Sequence, residues 1–457
     1  MIEIVKIDDV TPADYNPRKI NEAQFEKLKQ SLQTIGFTVP ILVNRKNNVI
    51  IAGHQRTKAA RAIGLTEVPA IKIERVSTGD EIKFNQLHNG VDAQRGFVCS
   101  ANTDGLPVGQ FIEMGIDRFS VKKFGATYVK EICNMLLKYG NVLSCVICGD
   151  DVLVGANYVR ACELLGLEVN SYIMDSSLSD QCRDFLKADY GEYSYEDIKK
   201  NTYVQGLAQM HRNLQKGELR KANKSTLYEN YVLPYLAQHT VGSVLDFGCG
   251  KAAYINHLAK TYEDAVGVEF FNNNGSQINV SMGNRQIDRL IEYLGRRKAF
   301  DVVVCDSVLN SVDSVQAERS VMGVLNLFCE ERLFISGRPL KSITDKLKLS
   351  RDSAARKYVS YLDGDNFTGD YRKGNWYFQH FHDKEGIYRL LEASGFKIER
   401  LTYMTYGDSF QVEAVKTRNL TRQEYIDAID FEFNLPLPGG TSYGRNGDVK
   451  KVLGLDG

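Results

Sequence analysis

Apolar positions along this chain follow two rhythms. In the C-terminal half they come as short unbroken runs: Val244-Leu245, Val266-Gly267-Val268, Val302 to Cys305 and Leu333 to Ile335. Runs of this length without polar alternation predict strands buried on both faces, as in a parallel sheet covered by helices. A helical stretch from Gly386 to Ser394, stopped by Gly395, leads into two further strands, Phe396 to Thr402 and Phe410 to Val415. Near the N-terminus the rhythm is helical: Leu28, Leu32 and Ile35 share one face of a helix over Phe25 to Ile35, with Gly36 as its stop. Strands at Pro40–Val43 and Val49–Ala52 flank a turn at Lys46-Asn47-Asn48. Gly53 then opens a helix to Ile63, and Val68 to Ile73 is a last strand.

The same rhythm returns further on. Ile132, Leu136, Gly140 and Ile147 repeat the spacing of Leu28, Leu32, Gly36 and Val43. Val152-Leu-Val-Gly155 through Gly166-Leu167 repeats Ile50-Ile-Ala-Gly53 through Gly64-Leu65, and the two glycines are equally spaced in both copies. The repeat predicts a second, degenerate module near 97–176, in which Asn157 and Tyr158 replace Gln55 and Arg56.

The chemistry sits where apolar runs end. Val244-Leu-Asp246-Phe-Gly248-Cys-Gly250-Lys251 is a strand entering a glycine turn, and Glu269 ends the next strand. A βαβ nucleoside site needs this order, because the glycines admit the ligand to the backbone and the acid can accept both ribose hydroxyls. With Ala252 or Ala253 at the third glycine position, an adenosyl sulfonium suits the loop better than a pyrophosphate. Asp306-Ser307 ends the 302–305 strand, where open α/β sheets bind ligands. The bland alternative makes Asp246 and Asp306 caps in an inert sheet.

This C-terminal layout, from the strand at Val244 to the one ending at Val415, resembles the class I S-adenosylmethionine (SAM) methyltransferases from end to end. The resemblance implies that Asp246, Gly248 and Gly250 line the methionine and ribose side of SAM and that Glu269 holds the ribose. It places Asn284, in Met282-Gly283-Asn284, where the family usually has an adenine-facing acid, and Asp306 under the methionine end or the substrate. DNA amino-methylases resemble one another in an Asp/Asn-Pro-Pro-Tyr/Phe tetrapeptide, but this strand ends Cys305-Asp306-Ser307-Val308. No cysteine follows a proline, so the cytosine-carbon route also lacks its nucleophile.

At the front, Gly53-His54-Gln55-Arg56 combines close backbone approach, free helix-start N–H groups and a guanidinium fork, which together suit a phosphate. Asn16-Pro17-Arg18, the Leu28 to Val43 string and Ile50-Ile-Ala-Gly-His-Gln-Arg-Thr-Lys-Ala-Ala resemble the N-terminal domain of the ParB/sulfiredoxin superfamily. The resemblance implies a nucleotide, CTP or ATP, held by Gly53, His54, Gln55 and Arg56 beside Asn16 and Arg18. The loop has no cysteine for sulfinic-acid reduction, and no helix-turn-helix is visible after Asp80.

Composition adds bounds. The 457 residues carry 57 basic and 57 acidic side chains, so no global field favours nucleic acid or membrane. Nine scattered cysteines fit a reducing compartment. No apolar run approaches the roughly 20 residues that span a bilayer, and the start reads as a short acidic strand rather than a leader. These features predict a cytoplasmic protein, in the host cytoplasm if phage-encoded. Arg212, Lys216, Arg220, Lys221 and Lys224 are either a solvated helix face or a phosphate contact. The insertion 338–385 holds Arg351, Arg356, Lys357, Arg372, Lys373, Trp376 and Tyr377-Phe-Gln-His380-Phe-His382. Its aromatics either pack a lid or hold a base. No metal is expected: Cys145-x2-Cys148 is half a site, and His380-x-His382 lacks a third ligand. The glycine-rich tail from Pro436 reads as flexible.

The expected fold class is α/β: a C-terminal Rossmann-like class I methyltransferase sheet preceded by two small ParB/sulfiredoxin-like α+β modules. Expected boundaries are 1–92 for the nucleotide-binding module, 93–189 for its copy, 190–236 for a helical linker, 237–418 for the methyltransferase and 419–457 for a tail. The expected function is SAM-dependent methylation in nucleic-acid or nucleotide modification, with Asp306 or His380 as base and nucleic acid or nucleotide as partner. The fusion resembles proteins of bacteriophages and mobile elements. Rival readings are a nucleotide- or DNA-binding protein with a non-catalytic methyltransferase fold, and a nuclease or nucleotide hydrolase. Oligomeric state is not legible.

Overall fold

The computed structural model describes residues 2–456 except 17, 75, 92–96, 124–128, 188–191, 196–197, 199–213, 216–217, 220–223, 275–276, 345–361, 373–374, 405–408 and 438–440. The chain divides into two compact units, one of Met1–Lys199 with Lys346–Gly364 and Tyr371–Lys373, the other of the remainder.

In the first unit, strand β1 (Glu3–Lys6) precedes helix α1 (Glu22–Ile35), whose Asn21 side chain accepts from the Gln24 N–H and so caps its start. Strands β2 (Ile41–Asn44) and β3 (Val49–Ala52), helix α2 (His54–Ala62) and strand β4 (Glu67–Ile73) complete the first module. The sheet order is β1-β4-β2-β3, with β2 antiparallel to β3 and parallel to β4, and the two-residue strand Thr11–Pro12 adds in parallel at the β3 edge. All four residues of β2 are buried, which is why that stretch reads as an unbroken apolar run.

The second module repeats this topology. Strands β5 (Phe97–Ala101), β6 (Phe111–Met114) and β7 (Phe119–Lys123) lead into helix α3 (Val129–Tyr139). Strands β8 (Cys145–Cys148) and β9 (Asp151–Val154), helix α4 (Ala156–Leu165) and strand β10 (Val169–Met174) follow. The order is β6-β10-β8-β9-β5-β7, with β8 antiparallel to β9 and parallel to β10. The likeness extends to a register shift at the equivalent step of each hairpin, Leu42/Val43 and Val146/Ile147. One apolar core holds Leu42, Ile51 and Ile71 of the first module with Ile132, Ile147 and Val159 of the second.

The second unit is built on strand β11 (Ser243–Phe247), helix α5 (Ala253–Leu258), strand β12 (Asp264–Val268), helix α6 (Val280–Arg296), strand β13 (Phe300–Asp306), helix α7 (Val315–Phe328) and strand β14 (Cys329–Pro339). These four strands are parallel, in the order β12-β11-β13-β14. Strand β15 (Asn375–His382), helix α8 (Lys384–Ala393) and strands β16 (Phe396–Thr402) and β17 (Phe410–Lys416) follow. β17 enters antiparallel beside β14 and pairs with β16, so a reversed hairpin closes the sheet. A parallel sheet that starts at a central strand and ends in this hairpin is the class I methyltransferase layout expected from the apolar runs.

Two expectations are corrected here. The tail from Pro436 is not loose where it is described: helix α10 (Asn446–Leu453) packs on α6 and on helix α9 (Arg422–Glu432), which itself packs on α7, and Tyr443 and Val449 are buried. Gly454, at φ +72°, ends α10 rather than loosening it. The end of the linker is likewise core, because Tyr228, Tyr231, Val232, Tyr235 and Leu236 pack on the sheet. Of its basic cluster, Arg212, Lys216, Arg220 and Lys221 lie outside the described residues, while Lys224 pairs with Glu229.

Candidate functional site

The chain leaves β11 to build β12 on one side and then returns to build β13 on the other, so the sheet changes direction between β11 and β13. Ligands of open α/β sheets sit in the crevice at such a point, outside the carboxyl ends of the strands. Asp246, Gly248 and Gly250 lie at or just past the end of β11, Glu269 follows β12 and Asp306 ends β13. The structure thus gathers on one rim five of the six positions read as cofactor-binding, all but Asn284.

Gly248 has φ +84°, and a Cβ there would come 2.3 Å from Val308 Cγ2, so the β11 and β13 loops touch through the missing side chain. Gly250 has φ +57° and open space where a Cβ would go. The Glu269 carboxylate accepts the Gly250 N–H at 3.0 Å on Oε2 and the Phe271 N–H at 2.8 Å on Oε1. Burial raises the Glu269 pKa, and these two backbone donors oppose the rise. Each oxygen keeps a second lone pair for a ligand hydroxyl. Asp246 is buried, and burial together with its charge pushes the Tyr228 phenol far above its usual range.

Asp306 is held by hydroxyls. Ser225 Oγ donates to Oδ2 at 2.6 Å, Ser336 Oγ to Oδ1 at 2.6 Å and Ser307 Oγ to Oδ1 at 3.1 Å. Ser307 has φ +65° and donates its N–H to Ser336 Oγ at 2.9 Å. Ser225 in turn is fixed by Tyr254, which lies in α5 and stacks on Tyr228 at 4.1 Å. The sequence reading missed Ser225, Ser336 and Gln286. Gln286 Oε1 accepts the Glu269 N–H at 3.2 Å and the Asn272 amide at 2.6 Å, tying α6 to the Glu269 turn. Ser336 had a signal, a hydroxyl at the carboxyl end of a buried strand. Ser225 and Gln286 had none.

Asn284 is placed differently. It lies in α6, and its amide oxygen accepts from Arg445 at 3.3 Å, while Arg445 also pairs with Asp288. Helix α6 leads directly into β13, so Asn284 stands on a helix rather than at the end of a strand.

His380 and His382 project from β15, which pairs in parallel with the far end of β14 through Arg338–Phe381 and Pro339–His382. Both are buried and face Glu318 of α7, with His380 Nδ1 3.0 Å from Glu318 Oε1 and His382 Nε2 against the same oxygen. Burial alone would raise the Glu318 pKa, but the two histidines outweigh it and hold the carboxyl at about 2. Helix α7 thus brings a carboxylate to the histidine pair, which the sequence pattern lacked. The aromatics of this segment form core: Trp376 stacks with Phe378, Phe367 stacks on His380, and all four rings are buried. Arg351, Arg356, Lys357 and Lys373, with the side chain of Arg372, lie outside the described residues.

In the first module Gly53, at φ +99°, opens α2. His54 Nε2 accepts the Ala13 N–H at 3.1 Å, and Gln55 Nε2 donates to the Arg18 carbonyl at 2.8 Å. These two bonds lay the segment carrying Asn16 and Arg18 beside the helix start. Burial lowers the His54 pKa to about 4, against a backbone hydrogen bond with Ile50 that raises it, so the ring is neutral at pH 7. Arg56 donates to the Val39 carbonyl at 2.7 Å and lies over the Phe37 ring. In the second module Gly155 keeps the conformation, at φ +91°, but Tyr158 turns into the core and donates to Asn141 at 2.6 Å.

A family model of the ParB N-terminal domain matches residues 1–89. A probable chromosome-partitioning protein ParB of Campylobacter jejuni is 32% identical over 87 residues, 18% of this chain and 30% of that protein. Stage 0 sporulation protein J of Bacillus subtilis is 38% identical over 73 residues, 15% of this chain and 26% of that protein. The chain spans less than a third of the length of these curated relatives. Among solved structures, an S-adenosylmethionine-dependent methyltransferase from Clostridium acetobutylicum aligns with 43% of this chain and 93% of its own, at 11% identity and a TM-score of 0.30. A C-terminally truncated ParB from Caulobacter crescentus complexed with CTP-gamma-S aligns with 20% of this chain and 52% of its own, at 25% identity and a TM-score of 0.19. No helix among the described residues is long and apolar enough to cross a membrane. Residues 1–89 thus match the ParB N-terminal domain, on a chain whose second unit holds a parallel sheet closed by an antiparallel hairpin.

Proposed function

We propose that this protein is a SAM-dependent methyltransferase whose front module binds a nucleotide, CTP or ATP, and whose acceptor is a nucleic acid or nucleotide. The observation that carries the reading is the Gly248–Gly250–Glu269 cradle at the change of direction in the sheet, with Asp306 beside it. The residues fit an adenosyl group. Glu269 is fixed by two backbone donors with lone pairs to spare for a ribose, and Gly250 leaves room above the turn. SAM, when bound, supplies an electrophilic methyl group. The chain's contribution is positioning: two loops in contact at Gly248 and Val308 orient the reactants for an in-line approach.

Asp306 suits the holding of an acceptor donor group better than free proton abstraction, because three hydroxyls already donate to it. His380 faces Glu318, which leaves Asp306 the stronger candidate near the acceptor. In the front module, the Gly53 turn and the start of α2 offer backbone donors to a phosphate, and Asn16 and Arg18 stand alongside.

Calorimetric titration of the full chain with SAM tests the reading. We expect binding that a Gly248→Arg, Glu269→Ala double variant abolishes while remaining folded by circular dichroism. Absence of binding to folded wild-type protein would remove the enzyme and leave the front module, titrated with CTP and ATP, as the functional part.

A further inference from the structure

We infer that Glu318, His380 and His382 form a binding site for one divalent transition-metal ion, zinc being the reference occupant, which staples β15 to α7. One ligand atom from each residue lies within 4.8 Å of the others, and all three side chains are buried. Two histidines at i and i+2 on a strand point to the same face. Glu318 meets them from the first turn of α7, an element far from β15 in sequence. Two imidazoles and a carboxylate form a recurring zinc donor set, and their number leaves a position for a further ligand.

The hydrogen bonding is incomplete without an ion. Both histidines crowd a single carboxylate oxygen, His382 through Nε2 and His380 through Nδ1, which lies 3.0 Å from it without hydrogen-bond geometry. The walls are apolar: Phe367 stacks on His380 at 4.0 Å and Phe410 stands edge-on to His382 at 5.4 Å. A buried cluster of nitrogen and oxygen lone pairs in such walls is costly unless a cation or protons draw them together. The Tyr403 hydroxyl donates to the His382 carbonyl at 2.8 Å and fixes the backbone behind the ligand. The site lies on the carboxyl-end rim of the sheet: Asp306 is in register with Ser336, and β15 joins β14 two residues later. The ion would hold the inserted strand against the sheet on the rim that carries Asp306.

The test uses the full chain stripped with a chelator and titrated with Zn2+ against a chromophoric competitor, and separately with Co2+. We expect one equivalent bound, a higher melting temperature for the loaded protein, and visible cobalt bands of low coordination number. Glu318→Gln and His382→Ala should each weaken binding at least tenfold. His382→Cys, which keeps a donor, should retain cobalt and add a thiolate charge-transfer band. Failure of wild-type protein to bind either ion would overturn the site and leave a buried ion pair. So would binding indifferent to all three substitutions, or a folded His382→Cys protein that binds cobalt without the thiolate band.

Discussion

Gly53 and Gly155 show how one backbone requirement recurs while the chemistry around it changes. Both hold a left-handed φ, +99° and +91°, at the start of a helix, a conformation that costs any side chain energy. Their surroundings differ. A Cβ at Gly53 would meet the Ile41 side chain at 2.7 Å, whereas one at Gly155 would meet the Cys145 Cα and the Ser144 carbonyl, both at 3.0 Å. A side chain can rotate away and a strand backbone cannot. Gly155→Ala should therefore cost about 2–4 kcal/mol and Gly53→Ala about 1–2 kcal/mol, read from urea midpoints. Equal costs would mean that the backbone angle alone governs both sites. These glycines were legible in the sequence because the requirement is local. Glu318 was not, since nothing near it in the chain indicates that two histidines far downstream will face it. Ser225 and Gln286 were hidden for the same reason, while Asp246, Glu269 and Asp306 showed themselves by ending apolar runs.

At the scale of elements, the C-terminal segment determines how α6 is held. Tyr443 donates to the Phe270 carbonyl at 2.6 Å, one residue beyond Glu269, and packs over Gly283 so closely that a Cβ would come 2.1 Å from its hydroxyl. Arg445 then reaches Asn284 and Asp288. Helix α6 in turn presents Gln286 to the Glu269 turn. Strands and their polar ends could be read from the apolar runs. This clamp could not, because it joins elements distant in sequence through side chains that look like surface residues. Gly283→Ala should displace Tyr443, lower stability by about 1–3 kcal/mol and weaken SAM binding through the Glu269 turn. Tyr443→Phe removes only the hydroxyl, and about 1 kcal/mol is expected from that bond. Denaturation and calorimetric titration of both variants check this. SAM affinity unchanged in a Gly283→Ala protein that is measurably destabilised would separate the tail from the cofactor cradle.

Across the whole molecule, the two compact units carry buried titratable groups displaced in opposite directions. His54, in the first unit, is lowered by burial to about 4. An unfolded chain takes up that proton near pH 6.5, so the contribution of neutral His54 is present above 6.5 and is lost as pH falls toward 4. Glu432, in the second unit, is raised by burial and then by the charge of Asp313 to about 8. Its protonated form is favoured by the fold, so this contribution is present below about 4.5 and is lost as pH rises through 8. Two units of this kind predict two calorimetric transitions that part company with pH. The first should gain stability between pH 4 and 6.5, and the second should lose it between pH 4.5 and 8. Glu432→Gln keeps the shape and removes the ionisation, so it should raise the second transition by several degrees at pH 8 and leave the first unchanged. His54→Gln, which preserves an acceptor for the Ala13 N–H, should flatten the acid slope of the first transition alone. An alkaline slope that survives Glu432→Gln would mean that the carboxyl is solvated in the folded protein. A shift of both transitions by either substitution would mean that the units unfold together.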